Sequence, residues 1–184
     1  MRKHPVKRIP AALQKKAEKI KLLLLDVDGV LTDGGIMVDS RGVEYKRFDV
    51  RDGQGITLLM RSGIEVGFIT GRSSNVVRYR ARELGVRMVH QGVQDKADIY
   101  DRIKKKTQLD DEEIAYVGDD IADAPVLRRA GLAITVRGCW TDIEQRVDYV
   151  TRAGGGCGAV REVAELLLRA QGKWEVLIER YYRG

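Results

Sequence analysis

The chain has 184 residues, with 33 basic and 27 acidic side chains, a formal charge of +6 and 43% hydrophobic content. That length supports one good core and falls short of two full domains, so residues 1–184 read as a single domain. The basic residues are interspersed among acidic ones and only Lys104-Lys105-Lys106 forms a run, which argues against a nucleic-acid surface and suits a small anionic substrate equally well.

In chain order, Ala11 to Ile20 reads as a short helix. Leu22-Leu23-Leu24-Leu25 follows as a strand buried on both faces, the kind found inside a parallel sheet. Asp26-Val27-Asp28-Gly29 comes directly after it, and in extended chain both carboxylates would point to the same side. Gly35 to Val38 and Val43 to Phe48 alternate as a hairpin around Asp39-Ser40-Arg41-Gly42. Asp52-Gly53-Gln54-Gly55 reads as a break, with a helix starting at Ile56 and ending near Gly63. Glu65 to Thr70 is a second buried strand, and Ser73 or Ser74 caps the next helix, which stops at Gly85.

Arg87 to Val89 reads as a third strand, and Asp95 opens a helix through Lys106. Ile114 to Val117 is the fourth strand, followed by Gly118-Asp119-Asp120, a helix near Ala122 to Arg129, and a fifth strand, Leu132 to Val136. A short helix after Thr141 and an extended Tyr149-Val150 come next, and Gly154-Gly155-Gly156 reads as the one flexible stretch. The last helix begins at Gly158 or Ala159, and a tail, 171–184, continues past Gly172 with Trp174, Leu177, Ile178, Tyr181 and Tyr182. Strands alternating with helices predict an α/β fold, a doubly wound parallel sheet with an inserted hairpin and no large cap.

Cys139 and Cys157 have no metal-ligand spacing, and His4 and His90 stand apart from any ligand grouping, so a zinc site is not expected. The basic start Met1-Arg2-Lys3-His4-Pro5 lacks a following apolar stretch, and no apolar run approaches membrane-spanning length. Free thiols and these absences predict a cytoplasmic protein with no membrane or nucleic-acid partner.

Strand ends of an open parallel sheet converge on one crevice, which brings Asp26, Asp28, Thr70, Asp119, Asp120 and Asp123 together. Several carboxylates crowded there would repel one another without a cation, and hard oxygen ligands suit magnesium. Lys96, opening a helix, can reach the same crevice.

The order Asp-x-Asp-Gly-Val, Thr-Gly-Arg, Lys, Gly-Asp-Asp-x-x-Asp, each after its expected element, resembles the haloacid dehalogenase superfamily over nearly the whole chain. Phe48 to Ile56, Ile69 to Ser73, Gly92 to Lys96 and the stretch from Gly158 to Trp174 resemble the capless 3-deoxy-D-manno-octulosonate 8-phosphate phosphatases of that superfamily. The resemblance implies a magnesium-dependent phosphomonoesterase of lipopolysaccharide precursor synthesis. Asp26 is the implied nucleophile and Asp28 the acid/base, with Thr70 and Lys96 holding the phosphoryl group. Magnesium is implied on Asp26, Asp119 and the Asp28 carbonyl, supported by Asp120 and Asp123. Asp28, Asp49, Val50, Arg51, Asp52, Gly53, Arg72, Arg80 and Lys96 are the implied substrate contacts.

Thr57 stands where such enzymes often carry a basic residue, which keeps a nine-carbon ulosonate 9-phosphate as an alternative substrate. A non-enzymatic phosphoacceptor or interaction domain is the rival class. A capless site open to water, an apolar hairpin and an apolar tail together predict a homotetramer whose sites are completed by neighbouring subunits.

Overall fold

The structure is a computed structural model that describes residues 9–183; the basic start with His4, and Gly184, lie outside it. Helix α1 (Ala11–Lys19) leads into β1 (Leu22–Leu25), a central strand of a six-stranded sheet. A two-stranded ribbon, β2 (Met37–Val38) and β3 (Glu44–Tyr45), follows as a separate antiparallel sheet. Then come α2 (Val50–Arg61), β4 (Glu65–Ile69), α3 (Asn75–Leu84), β5 (Met88–His90), α4 (Lys96–Thr107) and β6 (Ile114–Val117). The chain ends with α5 (Ala124–Leu127), β7 (Leu132–Arg137), α6 (Thr141–Glu144), β8 (Tyr149–Gly154), α7 (Ala159–Ala170) and α8 (Trp174–Arg183). Strand order is β5-β4-β1-β6-β7-β8, with every neighbouring pair parallel. This is the predicted doubly wound sheet.

The leucines of β1 divide between two cores. Leu23 and Leu25 pack with α1, α2, α3 and α7, whereas Leu22 and Leu24 pack with Tyr100 and Ile103 of α4 and Val126 of α5. All four are fully buried, each contributing on the order of 2 kcal/mol. The chain winds outward from β1 through β4 to β5, then returns across the sheet to β6, so β1 and β6 flank the switch point where a crevice opens beyond their carboxyl ends.

Several local expectations change. Gly53 and Gly55 do not break the chain but lie inside α2. A Cβ on Gly53 would sit 2.3 Å from the Arg80 guanidinium, and one on Gly55 would sit 3.0 Å from the Arg161 backbone. These glycines let α2 approach α3 and α7; packing overrides their low helix propensity. Gly154-Gly155-Gly156 is likewise no flexible link. Gly154 ends β8, and a Cβ on Gly155 would fall 1.7 Å from the Gly29 carbonyl oxygen. The predicted Ala122–Arg129 helix divides into a 3-10 turn, Ile121–Asp123, and the short α5. Beta5 is shifted by one residue from 87–89, and the last extended piece is a full strand. The tail is the helix α8, whose Trp174 and Leu177 are buried on their own subunit. Among the described residues no helix is long and apolar enough to cross a membrane.

Candidate active site

Asp26 leaves the end of β1 with its backbone N–H donating to the Val117 carbonyl of β6, which fixes it at the switch point. Its Oδ1 lies 3.0 Å from Lys96 Nζ. Lys96 is the first residue of α4, whose N-cap Asp95 accepts from the Ala97 and Asp98 amides. Lys96 Nζ also lies 2.5 Å from Asp123 Oδ1. A buried ammonium is tolerated only where charge and hydrogen bonds compensate it, and these two carboxylates do so.

Asp123 is fully buried and saturated. Its Oδ1 receives Lys96 and the Tyr116 hydroxyl, and its Oδ2 receives the Asp119 and Asp120 amides at 3.0 and 3.2 Å. It therefore shapes the loop after β6 and steadies Lys96. Asp119 is different. Its Oδ1 is buried without a hydrogen-bond partner. Asp26, Asp119 and Asp123 each offer an oxygen within 4.8 Å of the others. With Asp123 already occupied, the oxygens left for a cation are those of Asp26 and Asp119. An orphaned buried oxygen beside a second carboxylate fits a hard divalent ion. Asp120 is exposed and caps the following turn through the Ile121 amide.

Electrostatics agrees with that fit. Asp119 is pushed up to about 7 by burial and by the charges of Asp26, Asp123 and Asp120. Asp26 is pushed up to about 6 by burial and by Asp123, against the pull of Lys96. Burial opposes the charge on Lys96, yet Asp26 and Asp123 hold its pKa above the usual lysine value. Three carboxylates facing one ammonium leave excess negative charge, which a divalent cation would neutralise.

Thr70 follows β4, buried beside β1, and its Oγ1 accepts from the Arg72 amide at 3.3 Å while its own proton stays available to a ligand. Asp28 is not beside Asp26 on a strand, because β1 ends at Leu25. It turns toward the ribbon, where Lys46 Nζ bonds its Oδ1, and Arg72 Nε lies 3.9 Å from its Oδ2. Arg72 is held by Glu44 at 3.2 Å, and Glu44 also accepts from the Ser74 hydroxyl.

The 49–53 segment and Arg80 take other places in the protomer. Asp49 caps α2 and pairs with Arg51, whose guanidinium also donates to the Cys157 carbonyl. Val50 is exposed on the first turn of α2. Asp52 is buried and accepts from the Gly158 and Arg161 amides at 3.2 and 2.8 Å, closing the amino end of α7. Arg80 covers Gly53, pairs with Glu83 at 2.8 Å and lies over the Phe48 ring. Thr57 donates to the Gly53 carbonyl and faces a groove with Arg61, Arg87 and Lys106 at the amino edge of the sheet, away from Asp26. Glu44, Lys46 and Tyr116 were not anticipated. Tyr116 carried a signal, since a tyrosine inside a buried strand needs a hydroxyl partner.

The family profile described as haloacid dehalogenase-like hydrolase matches residues 45–131. The chain is 47% identical over 165 residues to the 3-deoxy-D-manno-octulosonate 8-phosphate phosphatase of Escherichia coli (strain B / BL21-DE3), covering 90% of this chain and 88% of that one. It is similar, at 43% identity and a TM-score of 0.90, to the Moraxella catarrhalis enzyme of the same name solved with a magnesium ion, a phosphate ion and a KDO molecule, covering 92% of this chain and 97% of that one. A probable phosphatase of the yrbi family from Pseudomonas syringae pv. phaseolica superposes with a TM-score of 0.93 at 41% identity, covering 95% of this chain and 99% of that one.

Proposed function

The chain belongs to the haloacid dehalogenase-like hydrolases, within the family of 3-deoxy-D-manno-octulosonate 8-phosphate phosphatases, and is a phosphoric monoester hydrolase; accordingly we propose that it releases phosphate from 3-deoxy-D-manno-octulosonate 8-phosphate, with magnesium as cofactor, in lipopolysaccharide precursor synthesis. The observation that carries this reading is the Asp26–Lys96–Asp123 chain set beside the orphaned Asp119 oxygen, in a fold matched along most of its length to a relative solved with magnesium, phosphate and KDO.

Asp26, fixed on β6 and facing Lys96, attacks phosphorus and forms an aspartyl phosphate, splitting one hard displacement into two easier ones. Asp28 protonates the departing sugar oxygen and then takes a proton from the water that hydrolyses the intermediate. Thr70 Oγ1 and Lys96 Nζ hold phosphoryl oxygens, and Lys96 offsets the charge that develops there. Asp26, Asp119 and the Asp28 carbonyl would hold magnesium, which supplies charge neutralisation at the phosphate. Arg72, exposed at the mouth, is suited to the sugar carboxylate.

The test is phosphate release from a set of 3-deoxy-2-ulosonate phosphates and simple hexose phosphates, with and without magnesium, and with Asp26→Asn as control. Magnesium-dependent preference for the eight-carbon substrate, abolished in Asp26→Asn, supports the proposal. Equal kcat/KM across all sugar phosphates, or near-normal turnover by Asp26→Asn, overturns it.

A further inference from the structure

The ribbon carries a buried lysine that the mechanism above does not use. Lys46 follows β3, two residues after Glu44, so both side chains lie on the same side of the strand. That side faces the site. The Lys46 side chain is 2% exposed, and its Nζ bonds Asp28 Oδ1 and lies 3.2 Å from Glu44 Oε1. Glu44 is itself pinned by Arg72 and by Ser74, the N-cap of α3. Asp28 Oδ2, by contrast, is buried without a hydrogen-bond partner.

The two Asp28 oxygens therefore have separate circumstances. One is tied to a buried ammonium that is anchored to a second carboxylate. The other accepts no hydrogen bond, with Arg72 Nε 3.9 Å away. We propose that Lys46 is a positioning residue for the acid/base step: by binding Oδ1 it fixes the carboxyl group so that Oδ2 faces the leaving-group oxygen. This rests on the reading of Asp28 as the acid/base. In the first step Oδ2–H donates its proton to the sugar oxygen as the phosphorus–oxygen bond breaks and the Asp26–phosphorus bond forms. In the second, Oδ2 recovers a proton from the attacking water. Lys46 keeps its own protons throughout. Glu44 holds the ammonium at the correct height, which couples the ribbon to the amino end of α3.

The experiment compares kcat/KM for an alkyl phosphate, the acidic sugar phosphate, with that for p-nitrophenyl phosphate, whose leaving group departs without help from an acid. Both are measured on the magnesium-loaded full chain, for the wild type, Lys46→Met, Lys46→Arg and Asp28→Asn. In Lys46→Met we expect the alkyl substrate to lose on the order of a hundredfold and the aryl substrate only a few-fold. Lys46→Arg, which retains a cation able to reach Oδ1, recovers part of the alkyl loss. Circular dichroism and thermal melts establish that each variant is folded, and Glu44→Gln gives a second, milder displacement of Lys46 with the same selective loss, read in kcat because Glu44 also holds Arg72. Equal losses on both substrates in Lys46→Met and Glu44→Gln, or a rise in KM alone, overturn the proposal. If Asp28→Asn loses the alkyl substrate selectively and Lys46→Met does not, the acid/base reading stands and the positioning role falls. If Asp28→Asn also loses both substrates equally, the acid/base reading itself fails, and the positioning role with it.

Discussion

Gly29 and Asp119 meet so closely that a Cβ on Gly29 would lie 2.0 Å from Asp119 Oδ2. Gly29 also has φ +95°, a conformation that a residue with a Cβ resists. Backbone strain and side-chain overlap thus fall at one position. Gly29→Ala is expected to cost about 1–2 kcal/mol from the backbone alone. Because it displaces Asp119, it should also weaken magnesium binding roughly 10- to 100-fold. Magnesium titration by calorimetry, with a thermal melt of the metal-free variant, separates the two effects. Wild-type metal affinity in Gly29→Ala would show that Asp119 is not a ligand.

Metal binding is expected to depend on pH. In the metal-free protein Asp26 and Asp119 sit at about 6 and about 7, above the ordinary carboxylate value of 3.8. With raised folded values, these groups favour the folded state while protonated, and that contribution is fully present below about 4 and is lost as pH rises from there through about 6 to 7. A cation needs them ionised, so its apparent affinity should climb from about pH 5 and level off above about 7. Burial holds His90 below its usual value, followed by the effects of Lys106 and Arg102, so His90 acts on stability in the opposite sense over part of that window. Calorimetric magnesium affinity is therefore the diagnostic measurement, because a group remote from the metal cancels from it. An affinity constant from about pH 5 to about pH 7 would contradict the assignment.

The sequence disclosed most where the signal was local. Four buried leucines running into Asp26, and Gly118-Asp119-Asp120 directly after a β-branched and aromatic strand, mark the two strands whose ends form the crevice. Lys96 was legible because a helix start places it there. What stayed hidden depends on contacts between distant segments. Glu44 and Lys46 lie in a predicted hairpin strand, and only the ribbon folded against Asp28 brings them to the site. Gly155 read as flexible because nothing nearby reveals that the Gly29 carbonyl lies against it. Asp52 followed the same pattern: its partners are amides at the start of α7.

Asp52 supplies a test between a structural and a substrate role for the segment after the ribbon. Asp52→Ala leaves the Gly158 and Arg161 amides without their acceptor in a buried setting. The expected loss is about 2 kcal/mol, which for a chain of this size lowers Tm by roughly 4–8 °C. KM should change little. A large rise in KM with Tm unchanged would instead place Asp52 among the substrate contacts.

We propose that the chain assembles into a homotetramer through the exposed apolar side chains of the ribbon. Ile36, Met37 and Val38 are 63%, 49% and 59% exposed, and Val43 and Tyr45 are also exposed. A two-stranded ribbon is marginal by itself, and its unpaired edges invite pairing with another chain. Its inner face is already used by Lys46 and Glu44 on Asp28 and Arg72. Burying the ribbon's apolar side chains against a second copy would therefore also fix Glu44 and Lys46, linking assembly to the acid/base group. The tail is a poor probe of this, since truncation after Gln171 removes Trp174 and Leu177 from the subunit's own core. Met37→Glu combined with Tyr45→Lys changes only exposed positions, on the face of the ribbon away from Glu44. We expect this double variant to keep its Tm within a few degrees at high dilution, to shift to smaller species by light scattering, and to lose kcat/KM on the sugar phosphate. A wild-type chain that is monomeric and fully active in solution would reject the homotetramer, and a dissociated double variant with unchanged kinetics would reject its coupling to the site.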